Sequence, residues 1–186
     1  MRSIANVENV AWEWTSFRNR KKMKLNFLCF RYIVLELCAA SLEDYCEGKY
    51  QGPMPTDEQV LFQLASGLEY IHSNGILHRN VKSSKILISL TKPVQMKYCG
   101  FGLSKSVNER GTCTLTLSEV TKGNYNWMSP EELKMMNQEN EILRGSVKID
   151  IFSAGCLFIN FLLRGKHPFG HNKNCIIKNN PVYVKG

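Results

Sequence analysis

The residues whose types could do chemistry lie between positions 78 and 102. Residues 78–87 read HRNVKSSKIL and residues 99–102 read CGFG, so neither segment contains a carboxylate. The amide of Asn80 can form hydrogen bonds but cannot accept a proton as a general base would. Gly100 offers no ligand atom to Mg²⁺, and the ammonium of Lys85 repels a divalent cation. This cluster therefore predicts neither a general base nor a metal site.

Short apolar runs flank these two polar segments and must position them. Residues 76–77 and 86–88 lie on either side of the first segment, and residues 96–99 lead into the second. Runs of this length and composition predict short β-strands. Earlier in the chain, residues 27–30 and 32–35 have the same character, and a short helix is predicted to begin near Ser41.

The clearest predicted helix follows a loop at residues 52–55. Thr56 and Gln59 have the spacing of a capping box, and apolar residues then recur at helical spacing from Val60 to Ile71. Gly75 can end this helix in a left-handed conformation.

The second half of the chain is less regular. Residues 104–126 are polar, contain seven Ser and Thr without a clear period, and predict a loop. A further helix is predicted to begin at Pro130 with Ser129 as its cap. Residues 149–163 are apolar on almost every side, which predicts a helix buried inside a domain.

Composition limits the classes of protein to consider. The chain has 186 residues, enough for one domain, and its seven Cys form no C-x-x-C pair. This usage favours a reducing compartment over a zinc site or a disulfide framework. No apolar run is long enough to span a bilayer and no signal peptide is present, so a cytoplasmic location is predicted.

Charge is concentrated near the N-terminus. The net charge is +8, and residues 18–24 form a basic run. We expect residues 1–24 to be a poorly ordered, solvated basic segment. An import signal or binding to an acidic surface or nucleic acid is the alternative, and we expect no nucleic-acid partner.

A series of motifs, in order, resembles the C-terminal lobe of a eukaryotic protein kinase. The segment HRNVKSSKIL is similar to the catalytic loop H-R-D-L-K-x-x-N-I-L, and CGFG is similar to the D-F-G segment. SPE at residues 129–131 stands for A-P-E, and DIFSAG at residues 150–155 is similar to the motif that opens the central helix. The segment YIVLELCAASL at residues 32–42 and HPFG at residues 167–170 resemble the inositol-requiring stress-sensor kinase/endoribonucleases.

The resemblance implies an α+β, kinase-like fold, mainly the helical C-lobe with a remnant of the N-lobe sheet, over residues 25–186. No segment of this chain resembles the Gly-rich loop of kinases or the V-A-I-K strand that carries their phosphate-binding lysine. The resemblance pairs Glu131 with an Arg from later helices, so we expect a buried Glu131 without that partner to be costly.

The resemblance also assigns roles by position. Asn80 occupies the place of the catalytic Asp, Lys85 that of the metal-binding Asn, and Gly100 that of the D-F-G Asp, while Lys82 keeps its place at the phosphate. We predict that ATP or ADP, if bound, binds without Mg²⁺, with Lys85 supplying the positive charge. In the alternative, Lys85 points into solvent.

Four further residues acquire roles from the same resemblance. Glu36 and Cys38 would present hinge backbone groups to adenine, with Leu87 beneath the ring. Arg79 would hold a phosphorylated loop. Asp150 is expected to accept hydrogen bonds from the catalytic-loop backbone.

Three functions remain open. The first is a pseudokinase that acts through binding, the second a truncated copy of an ATP-binding Ser/Thr kinase, and the third a regulatory module that dimerises with a complete kinase of the same family.

Overall fold

The computed structural model describes residues 35–136 and 142–170. Within them the chain forms helices and short antiparallel strands, as the sequence predicts for an α+β fold. The predicted basic segment 1–24 and the β-prone runs at 27–30 and 32–34 lie outside the described residues. In chain order the elements are β1 (Cys38–Ser41), α1 (Leu42–Cys46), α2 (Asp57–Ser73), β2 (Ile76–Leu77), β3 (Ile86–Ser89), β4 (Met96–Tyr98), β5 (Lys105–Ser106), β6 (Thr112–Thr116), α3 (Leu117–Val120), α4 (Pro130–Met135), β7 (Ile142–Ser146) and α5 (Lys148–Leu162).

The strands form three small sheets. β3 pairs with both β1 and β4, which makes a three-stranded sheet in the order β1-β3-β4. β2 pairs with β5, and β6 pairs with β7. The first two sheets bring together the segments on either side of the two polar motifs.

Helix α2 begins and ends as predicted. The Thr56 hydroxyl accepts a hydrogen bond from the Gln59 amide, and the Gln59 side chain accepts one from the Thr56 amide. Gly75 has φ of +70°, the left-handed conformation that favours glycine after a helix.

Two hydrophobic clusters make up the described core. The larger contains apolar residues of α2, β3, β4 and α5, among them Leu64, Ile86 and Leu157. The smaller packs around Leu115, Val120 and Leu133 and includes Ile149 at the start of α5. Helix α5 therefore contributes to both clusters.

Two predictions about local structure are wrong. Residues 104–126 were expected to form a loop, but they contain β5, β6 and α3, because β6 pairs with β7 about thirty residues away. Helix α5 is not buried on every side. Its apolar residues Ile151, Ile159 and Leu162 are 42–56% exposed, while Leu157 and Phe161 on the opposite side are fully buried.

Candidate functional site

Asp150 fixes the backbone of the catalytic-loop segment. Its carboxylate accepts hydrogen bonds from the amides of His78 (2.7 Å) and Arg79 (2.8 Å), and His72 Nε2 lies 2.9 Å from it. Arg79 has φ of +63°, which is unusual for a residue with a side chain. The fully buried carboxylate therefore stabilises a strained turn, and the role predicted for Asp150 is confirmed.

The imidazole of His78 joins the two polar segments. Its Nδ1 accepts a hydrogen bond from the Asn80 amide, and its Nε2 lies 3.1 Å from the Cys99 carbonyl, so the proton is assigned to Nε2. Burial lowers the pKa of His78 and keeps the ring neutral. The ring also contacts Phe101 edge-on at 4.5 Å. HRN and GFG are thus held at a fixed separation.

The three altered positions meet in space. Asn80 Nδ2 donates a hydrogen bond to the Gly100 carbonyl at 3.3 Å. A Cβ added at Gly100 would lie 2.8 Å from Lys85 Cδ and 3.4 Å from Asn80 Nδ2. The aliphatic part of Lys85 therefore covers Gly100, where the resemblance would place an Asp side chain. The alternative, in which the Lys85 ammonium points into solvent, stays open, because a Lys stem can pack on the protein while its charged end reaches water.

These residues do not fit Mg²⁺. A magnesium site needs oxygen ligands in octahedral geometry, usually including a carboxylate, and the trio offers one amide oxygen beside an ammonium. Among the described residues, no group of three or more His, Cys, Asp and Glu side chains could hold a metal ion.

Lys82 lies at a narrow cleft beside the trio. Its lining includes Asn80, Lys82, Trp127 and Glu132. The cleft has a volume of about 10 Å³. This volume holds about one water molecule. Neither Lys82 nor Lys85 has an ion-pair partner among the described residues. Both ammonium groups are therefore available to an anion.

Of the predicted hinge residues, Cys38 and Leu87 lie in the three-stranded sheet, and Glu36 precedes its first strand. Cys38 begins β1 opposite Ser89, and burial raises the pKa of its thiol. Leu87 lies in β3, two residues after Lys85, and is half-buried. The carboxylate of Glu36 pairs with Lys97 Nζ of β4 at 2.6 Å. The roles of these residues toward adenine stay predictions.

The buried carboxylate at the SPE motif is Glu132, and the expectation about Glu131 is wrong. Glu131 is exposed because α4 turns it away from the core. Glu132 is only 5% exposed and accepts a hydrogen bond from the Ser129 amide. Burial raises the pKa of Glu132 to about 7.

Several partners were missed by the sequence reasoning. These are His72 beside Asp150, Lys97 beside Glu36, and Lys105 beside Glu119. Only Glu119 had a local signal, since Thr116 and Glu119 have the spacing of a capping box. The Nη1 and Nη2 atoms of Arg79 donate to the carbonyls of Leu103 and Glu119. The role that the resemblance gives Arg79 toward a phosphorylated loop stays a prediction.

Comparison with a solved structure supports the same fold. A chain of the yeast RNA Pol II CTD kinase CTDK-1 complex superposes with a TM-score of 0.66 at 24% sequence identity. The match covers 94% of this chain and 51% of the kinase chain. At this identity it shows the fold alone.

Comparisons of sequence show the family. A model of the protein kinase domain matches residues 22–183. The human serine/threonine-protein kinase/endoribonuclease IRE2 is 39% identical over 146 residues, which cover 76% of this chain and 15% of the relative. The Schizosaccharomyces pombe sensor for unfolded proteins in the ER, ire1, is 32% identical over 184 residues, covering 83% and 17%.

The chain thus spans less than a fifth of the length of these two relatives. Among its described residues, no helix has the length and apolar character needed to cross a membrane. With the HRN and GFG segments held together as in a kinase C-lobe, the chain belongs to the protein kinase family and resembles the IRE1-type kinase/endoribonucleases within it.

Proposed function

We propose that this chain is a pseudokinase of the IRE1 type, which acts through binding and does not transfer phosphate. The observation that supports this proposal is the contact among Asn80, Lys85 and Gly100. An amide stands where a proton acceptor is needed, and a lysine chain covers the position from which a carboxylate would reach Mg²⁺. Loss of the general base alone costs about 10²–10⁴-fold in rate.

We infer further that ATP or ADP binds here without Mg²⁺. Lys82 and Lys85 have no anionic partner among the described residues, so their charges can offset those of the phosphates. Glu36, Cys38 and Leu87 remain the proposed adenine contacts.

The test is thermal unfolding of the chain with ATP in EDTA and, separately, in Mg²⁺. A bound ligand raises the melting temperature by mass action, and we expect equal shifts in both buffers. Lys85→Ala should abolish the shift, while Lys92→Ala, at an exposed position in the turn between β3 and β4, should leave it unchanged. A strict requirement for Mg²⁺ would contradict metal-free binding. Transfer of labelled phosphate that disappears in Lys82→Ala would contradict the pseudokinase proposal itself.

A second candidate is a regulatory module that binds a complete kinase of the same family. Ile151, Ile159 and Leu162 of α5 expose apolar surface, as interaction sites often do. Co-purification of the chain with a tagged full-length relative, weakened by Ile159→Glu, would support this function. Unchanged co-purification of Ile159→Glu would show that the exposed face of α5 is not the binding site.

We also infer a reducing compartment, with the cytosol as the proposed location. The five described cysteines form no disulfide with one another. Thiol labelling of the chain in intact cells should modify the four half-buried cysteines, Cys38, Cys46, Cys99 and Cys113, without prior reduction.

A further inference from the structure

The segment after GFG is held by an ionic contact that the proposed function does not use. Lys105 Nζ lies 2.8 Å from both Oε1 and Oε2 of Glu119. The same carboxylate accepts hydrogen bonds from the amide and hydroxyl of Thr116, at 2.8 and 3.1 Å. Glu119 therefore joins β5 to the N-terminus of α3.

The catalytic-loop segment converges on the same residue. Arg79 Nη2 donates to the Glu119 carbonyl, and Arg79 Nη1 donates to the Leu103 carbonyl at 3.3 Å. Two cations from separate segments therefore contact Glu119. Arg79 contacts its backbone carbonyl, and Lys105 contacts its carboxylate.

The charge at position 119 is permanent near neutral pH. The hydrogen bonds from Lys105, and then from the Thr116 amide, lower the pKa of Glu119 to about 2. A phosphorylated Ser or Thr orders a loop in a similar way, because its fixed negative charge pairs with an Arg or Lys. Here Lys105 pairs with the charge of Glu119, while Arg79 contacts the Glu119 backbone carbonyl.

We propose that Glu119 takes the place of a phosphorylated residue and keeps residues 104–121 ordered without phosphorylation. The seven Ser and Thr of the segment need no modification for β6 and α3 to form. This device would hold the segment against Arg79 of the catalytic-loop segment, and it does not depend on whether nucleotide binds.

The experiment is hydrogen exchange of the full chain, followed by mass spectrometry, before and after phosphatase treatment. We expect the same exchange in residues 104–121 in both samples. Glu119→Gln should raise exchange there roughly three- to tenfold, because the partly exposed ion pair with Lys105 is lost and a neutral amide oxygen accepts the Thr116 hydrogen bond more weakly than a carboxylate does. Exchange in α2 should not change.

Glu109→Gln is the matched control, since Glu109 lies in the same segment, is exposed and has no contact among the described residues. It should exchange like the wild type. Lys105→Gln provides a second route in case Glu119→Gln unfolds, which faster exchange in α2 would reveal. It should loosen the segment while Thr116 remains capped. Unchanged exchange in a folded Glu119→Gln or in Lys105→Gln would overturn the proposal, as would faster exchange of the wild type after phosphatase.

Discussion

The backbone of Gly100 lies in the left-handed region, with φ of +80°. A residue with a side chain costs about 1–2 kcal/mol in this conformation. A Cβ would also press on Lys85 Cδ, but a long flexible side chain can move aside. The cost of substitution at position 100 therefore comes mainly from the backbone.

Gly100→Ala should accordingly lower the free energy of unfolding by about 1–2 kcal/mol in urea titrations. Adding Lys85→Ala should not restore it. Gly102→Ala is the control, because a Cβ there meets no atom within 4 Å and φ is not positive. Equal stability of Gly100→Ala and Gly102→Ala would show that the assigned strain is absent.

Asp150 stabilises the positive φ of Arg79, a conformation that is unfavourable for a residue with a side chain. Asp150→Asn replaces a carboxylate that accepts three hydrogen bonds with an amide, so one NH₂ group must face the donors. We expect a loss of about 3 kcal/mol, typical of breaking a buried charged contact. Asp57→Asn, which removes only an exposed pair with Arg164, should cost less than about 1 kcal/mol. Denaturant titration of both variants tests the difference, and equal losses would contradict it.

At the scale of elements, Glu132 makes the stability of the α4 N-terminus depend on pH. Its pKa in the folded chain, about 7, lies above the usual value of 4.5 because the carboxylate is buried. The folded state thus binds a proton that the unfolded state releases. This contribution to stability is complete below about pH 4.5 and is lost as the pH rises through 7.

Glu132→Gln should therefore be more stable than the wild type above pH 7, by roughly 2–3 kcal/mol, and similar to it near pH 5. The gain follows because the amide keeps the acceptor for the Ser129 amide without a buried charge. Glu131→Gln, at the exposed neighbour, should not change the pH dependence. Urea titrations between pH 5 and 8 provide the comparison, and parallel curves for all three proteins would disprove the assignment.

The elements also show what a sequence can predict. Helices α2 and α4 were predicted because their starts have local signals, Thr56 with Gln59 for α2 and Ser129 before Pro130 for α4. Helix α3 has the same signal in Thr116 and Glu119, but it is four residues long and lies in a Ser- and Thr-rich segment. Strand β6 depends on pairing with β7, and a partner so distant in the sequence leaves no local pattern.

The site follows the same rule. The order of the motifs placed Asn80, Lys85 and Gly100 correctly in one region, and Asp150 was assigned its correct role. His72 and Lys97 were missed because the residues they contact are 78 and 61 positions away. Glu131 was expected to be the buried carboxylate because it has the Glu position of the A-P-E motif. Burial depends instead on which face of α4 packs on the core, and that face carries Glu132.

For the whole molecule, α5 is the shared element of the two cores. Ala154, Leu157 and Phe161 belong to the larger cluster, and Ile149 belongs to the smaller one. Truncating a side chain on the packed face of α5 should therefore cost much more free energy of unfolding than truncating one on the exposed face.

Leu157→Ala should lower the free energy of unfolding by about 2–5 kcal/mol, because a fully buried side chain leaves a cavity. Leu162→Ala, five residues later and 47% exposed, should cost less than about 1 kcal/mol. Urea titrations of both variants measure the two costs. A large loss in Leu162→Ala would mean that the exposed face is covered in solution.

If the chain is the pseudokinase proposed above, the contact among Asn80, Lys85 and Gly100 makes catalysis hard to regain in evolution. Restoring Asp at position 80 alone would set a carboxylate against the Gly100 carbonyl that now accepts its hydrogen bond. An Asp at position 100 alone would carry the backbone cost of the left-handed conformation, and an Asn at position 85 alone would gain no acidic neighbour for a metal. Under the proposed function, each single substitution is unrewarded until the others have occurred, so selection has no graded path to catalysis.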